Sequence, residues 1–192
     1  MKYGVICAME EEIKSLHSAL TVTNETDING ITFYEGTIQN TEVVLVRSGI
    51  GKVEAGITAA LLVTNFKVDA LIHSGSAGGI GKELSVGDVV VSTQTLYHDV
   101  DATAFGYKLG QLPGQPARFD ADPKLVAEIV DAGHKTGLTV KKGLIVTGDQ
   151  FISSSDKIQT ILNNFPDALC CEMEGCACLL YTSDAADDMQ CV

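Results

Sequence analysis

Five short apolar runs, each ending in a cluster of small or acidic residues, constrain this chain more than any other feature. They are "YGVICA", "TEVVLVRS", "ALIHSGSAGG", "KKGLIVTGDQF" and "DALCCEM". Each has the length of a buried strand. Between them apolar residues recur at helical spacing: Met9, Ile13, Leu16 and Leu20; then Val53, Ile57, Ala60, Leu61 and Thr64; later Ile158, Ile161, Leu162 and Phe165. Strands alternating with helices predict an α/β fold with a central sheet flanked by helices. "ITFYEGTIQNTEVVLVRS" reads as two strands around a Gln39-Asn40 turn, so an early hairpin makes the sheet mixed. "VGDVVVSTQTLYHD" adds a strand, residues 99–120 form a long loop, and a helix is expected around residues 122–136.

Composition removes several function classes. The 192 residues are most simply one domain. A net charge of −12 argues against a nucleic-acid partner. With only two arginines, Arg47 and Arg118, a substrate held mainly through phosphates is disfavoured, although backbone amides can also bind anions. No apolar run approaches membrane-spanning length, so no membrane partner is expected. The opening "MKYGVICAMEEE" carries no secretory signal, and the expected location is cytoplasmic. Six cysteines without a CxxC pair read as buried, reduced thiols, and no metal site is expected.

In α/β sheets ligands gather at the carboxyl ends of strands. That rule selects Met9–Glu12, Ser48–Gly51, Ser74–Gly79, Gln150–Ser153 and Met173–Gly175. Each cluster also has a purely structural reading. Glu10, Glu11 and Glu12 complement the dipole of a helix start. "SGSAGG" fits neither a P-loop nor G-x-G-x-x-G, and is a tight turn or a close approach to a ligand. Phe151 and Ile152 are core residues or a ring placed to stack on a base. Glu172 and Glu174 alternate, so they share one face if the strand continues through them. His73 reads as a core histidine. His17, His98 and His134 carry no recognisable spacing, and Asp99 and Asp101 have no identifiable partner.

Taken together, "GVICAMEEEI", "SGIGKVEAG", "GSAGGI", "GDVVVST", "TGDQFISS" and "EMEG" resemble the 5′-methylthioadenosine/S-adenosylhomocysteine nucleosidases of the nucleoside phosphorylase-like superfamily. The resemblance covers residues 1 to about 177. It implies a homodimeric hydrolase that cleaves the adenine–ribose bond without metal or organic cofactor. It also implies roles for individual residues. Glu12 is the general base for the attacking water, and Ser76 and Glu174 help hold that water or the ribose. Gly78 lies beside sugar and base, Met173 packs under the ribose, and Glu174 accepts hydrogen bonds from its hydroxyls. Phe151 stacks on adenine while the Ile152 backbone reads the base edge, and Met9 and Ile50 line the 5′-thio pocket. Phe105, Tyr107 and Pro113 are expected to reach the neighbouring subunit's pocket.

The chemistry suits those residue types. Cleavage of an N-glycosidic bond builds positive charge on the ribose, which a nearby carboxylate stabilises. Water is a poor nucleophile, so a second carboxylate must take its proton. The resemblance also implies an acid for adenine N7, an Asp in an Arg-x-x-Ser-Asp segment on a later strand. Here the family pattern stops after Ala177, and in Tyr181-Thr182-Ser183-Asp184 a tyrosine stands where the arginine belongs. Residues 178–192 therefore read as a tail outside a nucleosidase domain of residues 1–177, which would lack the family's last strand and helix. Such a chain is expected to be poorly soluble and nearly inactive. Two alternatives accompany the nucleosidase reading: a phosphorylase that uses phosphate, and a nucleoside-binding fragment without turnover.

Overall fold

The computed structural model describes residues 1–184 and 190–191, with side chains through Leu180. Strand β1 (Lys2–Cys7) leads into helix α1 (Glu10–Ala19), followed by β2 (Thr21–Ile28), β3 (Ile31–Ile38) and β4 (Thr41–Arg47). Helix α2 (Lys52–Phe66), β5 (Ala70–His73), β6 (Gly78–Gly79) and β7 (Val89–Tyr97) come next. Beyond a 3-10 turn at Thr103–Phe105 lie β8 (Phe119–Asp120), α3 (Pro123–Lys135), β9 (Val140–Thr147) and α4 (Ser155–Asn164). The chain closes with β10 (Ala168–Glu172), α5 (Gly175–Asp184) and β11 (Gln190–Cys191).

The mixed α/β architecture is the one expected, but its strands divide between two sheets. One sheet has the order β11-β5-β1-β4-β3-β2 and the other β6-β10-β9-β7-β8. Each has a parallel centre: β1 pairs with β4 and β5, and β9 with β7 and β10. Parallel strands with both faces covered favour continuous apolar runs, which is why these segments stand out in the sequence. The main core packs Ile6, Val44, Val46 and Leu71 of the first sheet against Leu62 and Phe66 of α2 and Cys176–Leu179 of α5. Each large apolar side chain so buried contributes about 1.5–3 kcal/mol.

Local chemistry explains the element boundaries. Gln39 (φ 49°) and Asn40 (φ 69°) are both left-handed, as a two-residue hairpin turn between β3 and β4 requires. Asp122 accepts a hydrogen bond from the Leu125 amide at 2.7 Å, with Pro123 as the first helical residue of α3. Ser154, one of the three serines expected to start α4, caps it by accepting from the Lys157 amide.

Several expectations need correction. Strand β2, joined to β3 at Asn29-Gly30, turns the early hairpin into a three-stranded meander. The Asn-Gly pair was the available signal. In α2 the expected inward stripe is turned outward. Ala55, Thr58, Ala59, Leu62 and Phe66 are buried, whereas Val53 is 69% exposed and Ile57 49%. The helix is apolar on several sides, so periodicity could not choose between its faces. The strand bearing Glu172 and Glu174 stops at Glu172, so the two acids do not share a strand face. A two-residue strand, β11, pairs with β5 beyond the strand expected to be last. The expected boundary at residue 177 falls inside α5, where Cys178 and Leu179 are buried.

Candidate active site

The first cluster places Glu12 one turn into α1, immediately beyond the end of β1. Its Oε2 accepts the Ala8 amide at 3.0 Å and the Met9 amide at 3.1 Å, reaching back to the helix start as a capping acid does. Its Oε1 accepts both the amide and the hydroxyl of Ser76, each at 2.8 Å. Burial pushes the Glu12 carboxyl up, but these donors outweigh it and hold the group below the usual carboxylate range. The dipole and site readings of Glu12 are thus compatible. The carboxylate complements the helix start and is tied to Ser76, across 64 residues of sequence.

That tie also explains part of "SGSAGG". A Cβ on Gly75 would stand 3.0 Å from Glu12 Oε1, so close approach to Glu12 accounts for the glycine there. Gly78 continues the segment by pairing with Cys171 in β10. The Ser74–Gly79 segment therefore bridges Glu12 on one side and the start of the "EMEG" cluster on the other.

Within that cluster the two acids have different tasks. Glu174, 6% exposed, accepts the Gly51 amide at 2.8 Å and the Met173 amide at 3.2 Å. Burial raises its pKa, and repulsion from Glu172 adds to the rise; the Gly51 amide and His73 oppose it. Glu172 instead accepts the Glu174 amide at 2.7 Å and the Gly175 amide at 2.6 Å, capping α5, and also binds the Thr147 hydroxyl. Its Oε2 lies 3.9 Å from His73 Nδ1. The spacing of the two acids suggested a pair, whereas the fold makes Glu172 a cap of α5 and turns Glu174 toward the Gly51 amide. Gly51 sits at φ 104°, a conformation that favours glycine, and this lets its amide point at Glu174.

His73, Glu172 and Glu174 have ligand atoms within 4.8 Å of one another. Both oxygens of each carboxylate are already engaged by amide or hydroxyl donors. That accounts for the cluster without an ion.

The remaining candidates fall into two groups. Met9 caps α1 beside Glu12, Met173 is half-buried beside Glu174, and Ile50, 55% exposed, precedes Gly51. Phe151 is 83% exposed and Ile152 half-buried in the segment between β9 and α4, so Phe151 is not a core residue. Phe105 (82% exposed), Tyr107 and Pro113 lie on the long loop after β7, and none of the three is among the described donors to Glu12 or Glu174. A cavity of about 530 Å³ adjoins the site, lined in part by His73, Ser76, Thr95, Glu172 and Leu179. Of the residues given individual roles, Ser76 borders it.

Three polar residues went unassigned in the sequence. Asp99, for which no partner was identifiable, binds Lys52 Nζ through both oxygens at 2.9 and 2.8 Å. Asp149 binds the Lys52 amide at 2.9 Å. Separations of 47 and 97 residues leave no local pattern to read.

The family model of the phosphorylase superfamily matches residues 2–185. A 5′-methylthioadenosine/S-adenosylhomocysteine nucleosidase from an Exiguobacterium strain is 49% identical over 175 residues, 91% of this chain and 75% of the relative. The Neisseria meningitidis nucleosidase, solved with methylthio-immucillin-A, superposes with a TM-score of 0.95 at 40% identity, covering 99% of this chain and 83% of that one. The Streptococcus pyogenes nucleosidase, solved with 5-methylthiotubericidin, gives 0.94 at 42% identity, covering 100% and 81%. With its fold, its strand-end acids and these relatives in agreement, the chain belongs to the 5′-methylthioadenosine/S-adenosylhomocysteine nucleosidase family of the phosphorylase superfamily.

Proposed function

We propose that this chain hydrolyses the adenine–ribose bond of 5′-methylthioadenosine and S-adenosylhomocysteine, giving adenine and the 5-thioribose product; the segment Tyr181-Thr182-Ser183-Asp184, on which the expectation of near-inactivity rests, lies outside the described side chains. The observation that carries the reading is Glu12: a carboxylate kept ionised by four donors, tied to Ser76, at a strand end of a family whose relatives bind methylthio-nucleoside analogues. Glu12 takes a proton from water as the C1′–O bond forms. The C1′–N9 bond breaks, its electron pair leaves with adenine, and the base takes up a proton from solvent. Ionised Glu174 accepts hydrogen bonds from the ribose hydroxyls and stabilises the positive charge on the sugar. Met173 and Gly78 pack against the ribose, Phe151 stacks on adenine, the Ile152 backbone reads its edge, and Met9 and Ile50 enclose the 5′-thio group.

Water rather than phosphate fits the disposition of the arginines. Arg47 lies 3.4 Å from Glu10, and Arg118 pairs with Asp167 through two hydrogen bonds of 2.6 and 3.1 Å. Both guanidinium groups thus have carboxylate partners of their own. The test is adenine release from methylthioadenosine in phosphate-free buffer, with Phe151→Ala alongside. The parent should release adenine without phosphate, and the variant should bind the nucleoside about 1–3 kcal/mol more weakly, the range for base–aromatic stacking. Release that requires phosphate would make the chain a phosphorylase. Nucleoside binding without release would make it a binding protein.

The reading extends to a homodimer. Val53, Ile57 and Ile50 leave an apolar strip exposed on and before α2, and Phe105 is exposed on the long loop. Such strips mark association surfaces, and the loop with Phe105, Tyr107 and Pro113 would reach the second subunit's pocket. Ile57→Asp should convert a dimer to a monomer in sedimentation equilibrium; a parental chain that sediments as a monomer removes the proposal. Among the described residues no helix is long and apolar enough to cross a membrane. The buried thiols of Cys7, Cys170, Cys171 and Cys176 suit a reducing cytoplasm.

A further inference from the structure

Three segments that end at the site are tied together behind it by one ion-pair network. Lys52, the first residue of α2, sends its ammonium to both oxygens of Asp99 just after β7, and lies 3.7 Å from Asp149 Oδ2 in the loop after β9. The Asp149 amide donates to Asp99 Oδ2 at 2.9 Å, and the Lys52 amide donates to Asp149 Oδ1 at 2.9 Å. The Lys52 ammonium also stands 5.1 Å above the Tyr97 ring. The side chains of Lys52 and Asp99 are only 22% and 11% exposed, so the pair is shielded from solvent screening.

The position of this network gives it a task. The first two amides at the start of α2 go to two distant carboxylates, Gly51 to Glu174 and Lys52 to Asp149. Moving the start of α2 would move the Gly51 donor off Glu174. Asp149 is also two residues before Phe151, so the same network anchors the segment expected to hold the base. A Cβ on Gly51 would come within 3.1 Å of Asp149 Oδ1, so the helix start and that loop are in close register.

Resting on the nucleosidase reading for the role of Glu174, we propose that Lys52, Asp99 and Asp149 are positioning residues that fix the Gly51 amide on Glu174 and hold the Phe151 segment in register with it. None of the three needs to touch the nucleoside. Other charged or titratable neighbours of Glu174 are Glu172, which repels its charge, and His73, which favours it. The network adds a third control through the Gly51 hydrogen bond.

The experiment follows the Gly51 amide by NMR across pH, with no turnover required. In the parent its chemical shift should titrate with Glu174, and Glu174→Gln should abolish that titration. In Lys52→Met/Asp99→Asn, which removes both charges and leaves no unpaired buried ion, the titration amplitude should fall at least twofold and its midpoint rise. The midpoint rises because a donor to the charged form has weakened. Asp149→Ala, at a position 48% exposed, should do the same and serves if the double variant does not fold. Lys52→Arg, which keeps the ion pair, should restore the parental titration. An unchanged Gly51 titration in a folded variant, or no titration in the parent, overturns the proposal. Adenine release by the parent tests the nucleosidase reading separately, so either idea can fail alone.

Discussion

Glu12→Gln is expected to lower kcat for adenine release by about 10²–10⁴-fold, the usual contribution of a general base. The substitution also tests how the carboxylate is held. Both oxygens of Glu12 accept two donors each, so the amide nitrogen of glutamine must face either the Ser76 pair or the Ala8 and Met9 amides. A modest loss of stability, about 1–3 kcal/mol for donors left unsatisfied, should accompany the loss of rate. Circular dichroism separates the two effects, and near-parental turnover in a folded variant would remove Glu12 from the mechanism. The pH dependence has a definite sign. The folded-state pKa of Glu12 is lowered, so its stabilisation is present above the unfolded value of about 4.3 and lost as pH falls through the folded value. Acid denaturation of the Gln variant should lack this component.

Glu174→Gln should cost about 10²–10³-fold in kcat, the scale for removing one preorganised electrostatic partner of a transition state. Its pKa is shifted in the opposite direction from that of Glu12, raised by burial and by Glu172. The proposed mechanism requires Glu174 ionised, so the acid limb of the parental kcat profile should lie above the usual carboxylate range. In the Gln variant that limb should disappear, leaving the lower limb set by Glu12. For stability the sign is reversed relative to Glu12. A raised folded-state pKa gives a contribution present at low pH and lost as pH rises through the folded value. An acid limb in the Gln variant identical to the parental one would show that Glu174 does not control it.

Much of this arrangement was legible before any coordinates. The apolar runs, the helical spacing after them and the small or acidic residues at their ends located the strand termini just beyond which Glu12, Ser76, Phe151 and Glu174 lie. These features are local, because a buried parallel strand, a capping serine and a two-residue turn each specify their own backbone within a few residues. Tertiary structure decided what no local pattern encodes. It buried the face of α2 that carries Ala55, Thr58, Ala59, Leu62 and Phe66 and left Val53 and Ile57 exposed. It divided Glu172 from Glu174, because the strand stopped between them and the amides of α5 captured the first. It paired Lys52 with Asp99 and Gly51 with Glu174 across 47 and 123 residues. Sequence spacing sets which residues stand at the strand ends, and only the packing of α2, β7, β9 and β10 brings their polar groups within hydrogen-bonding distance.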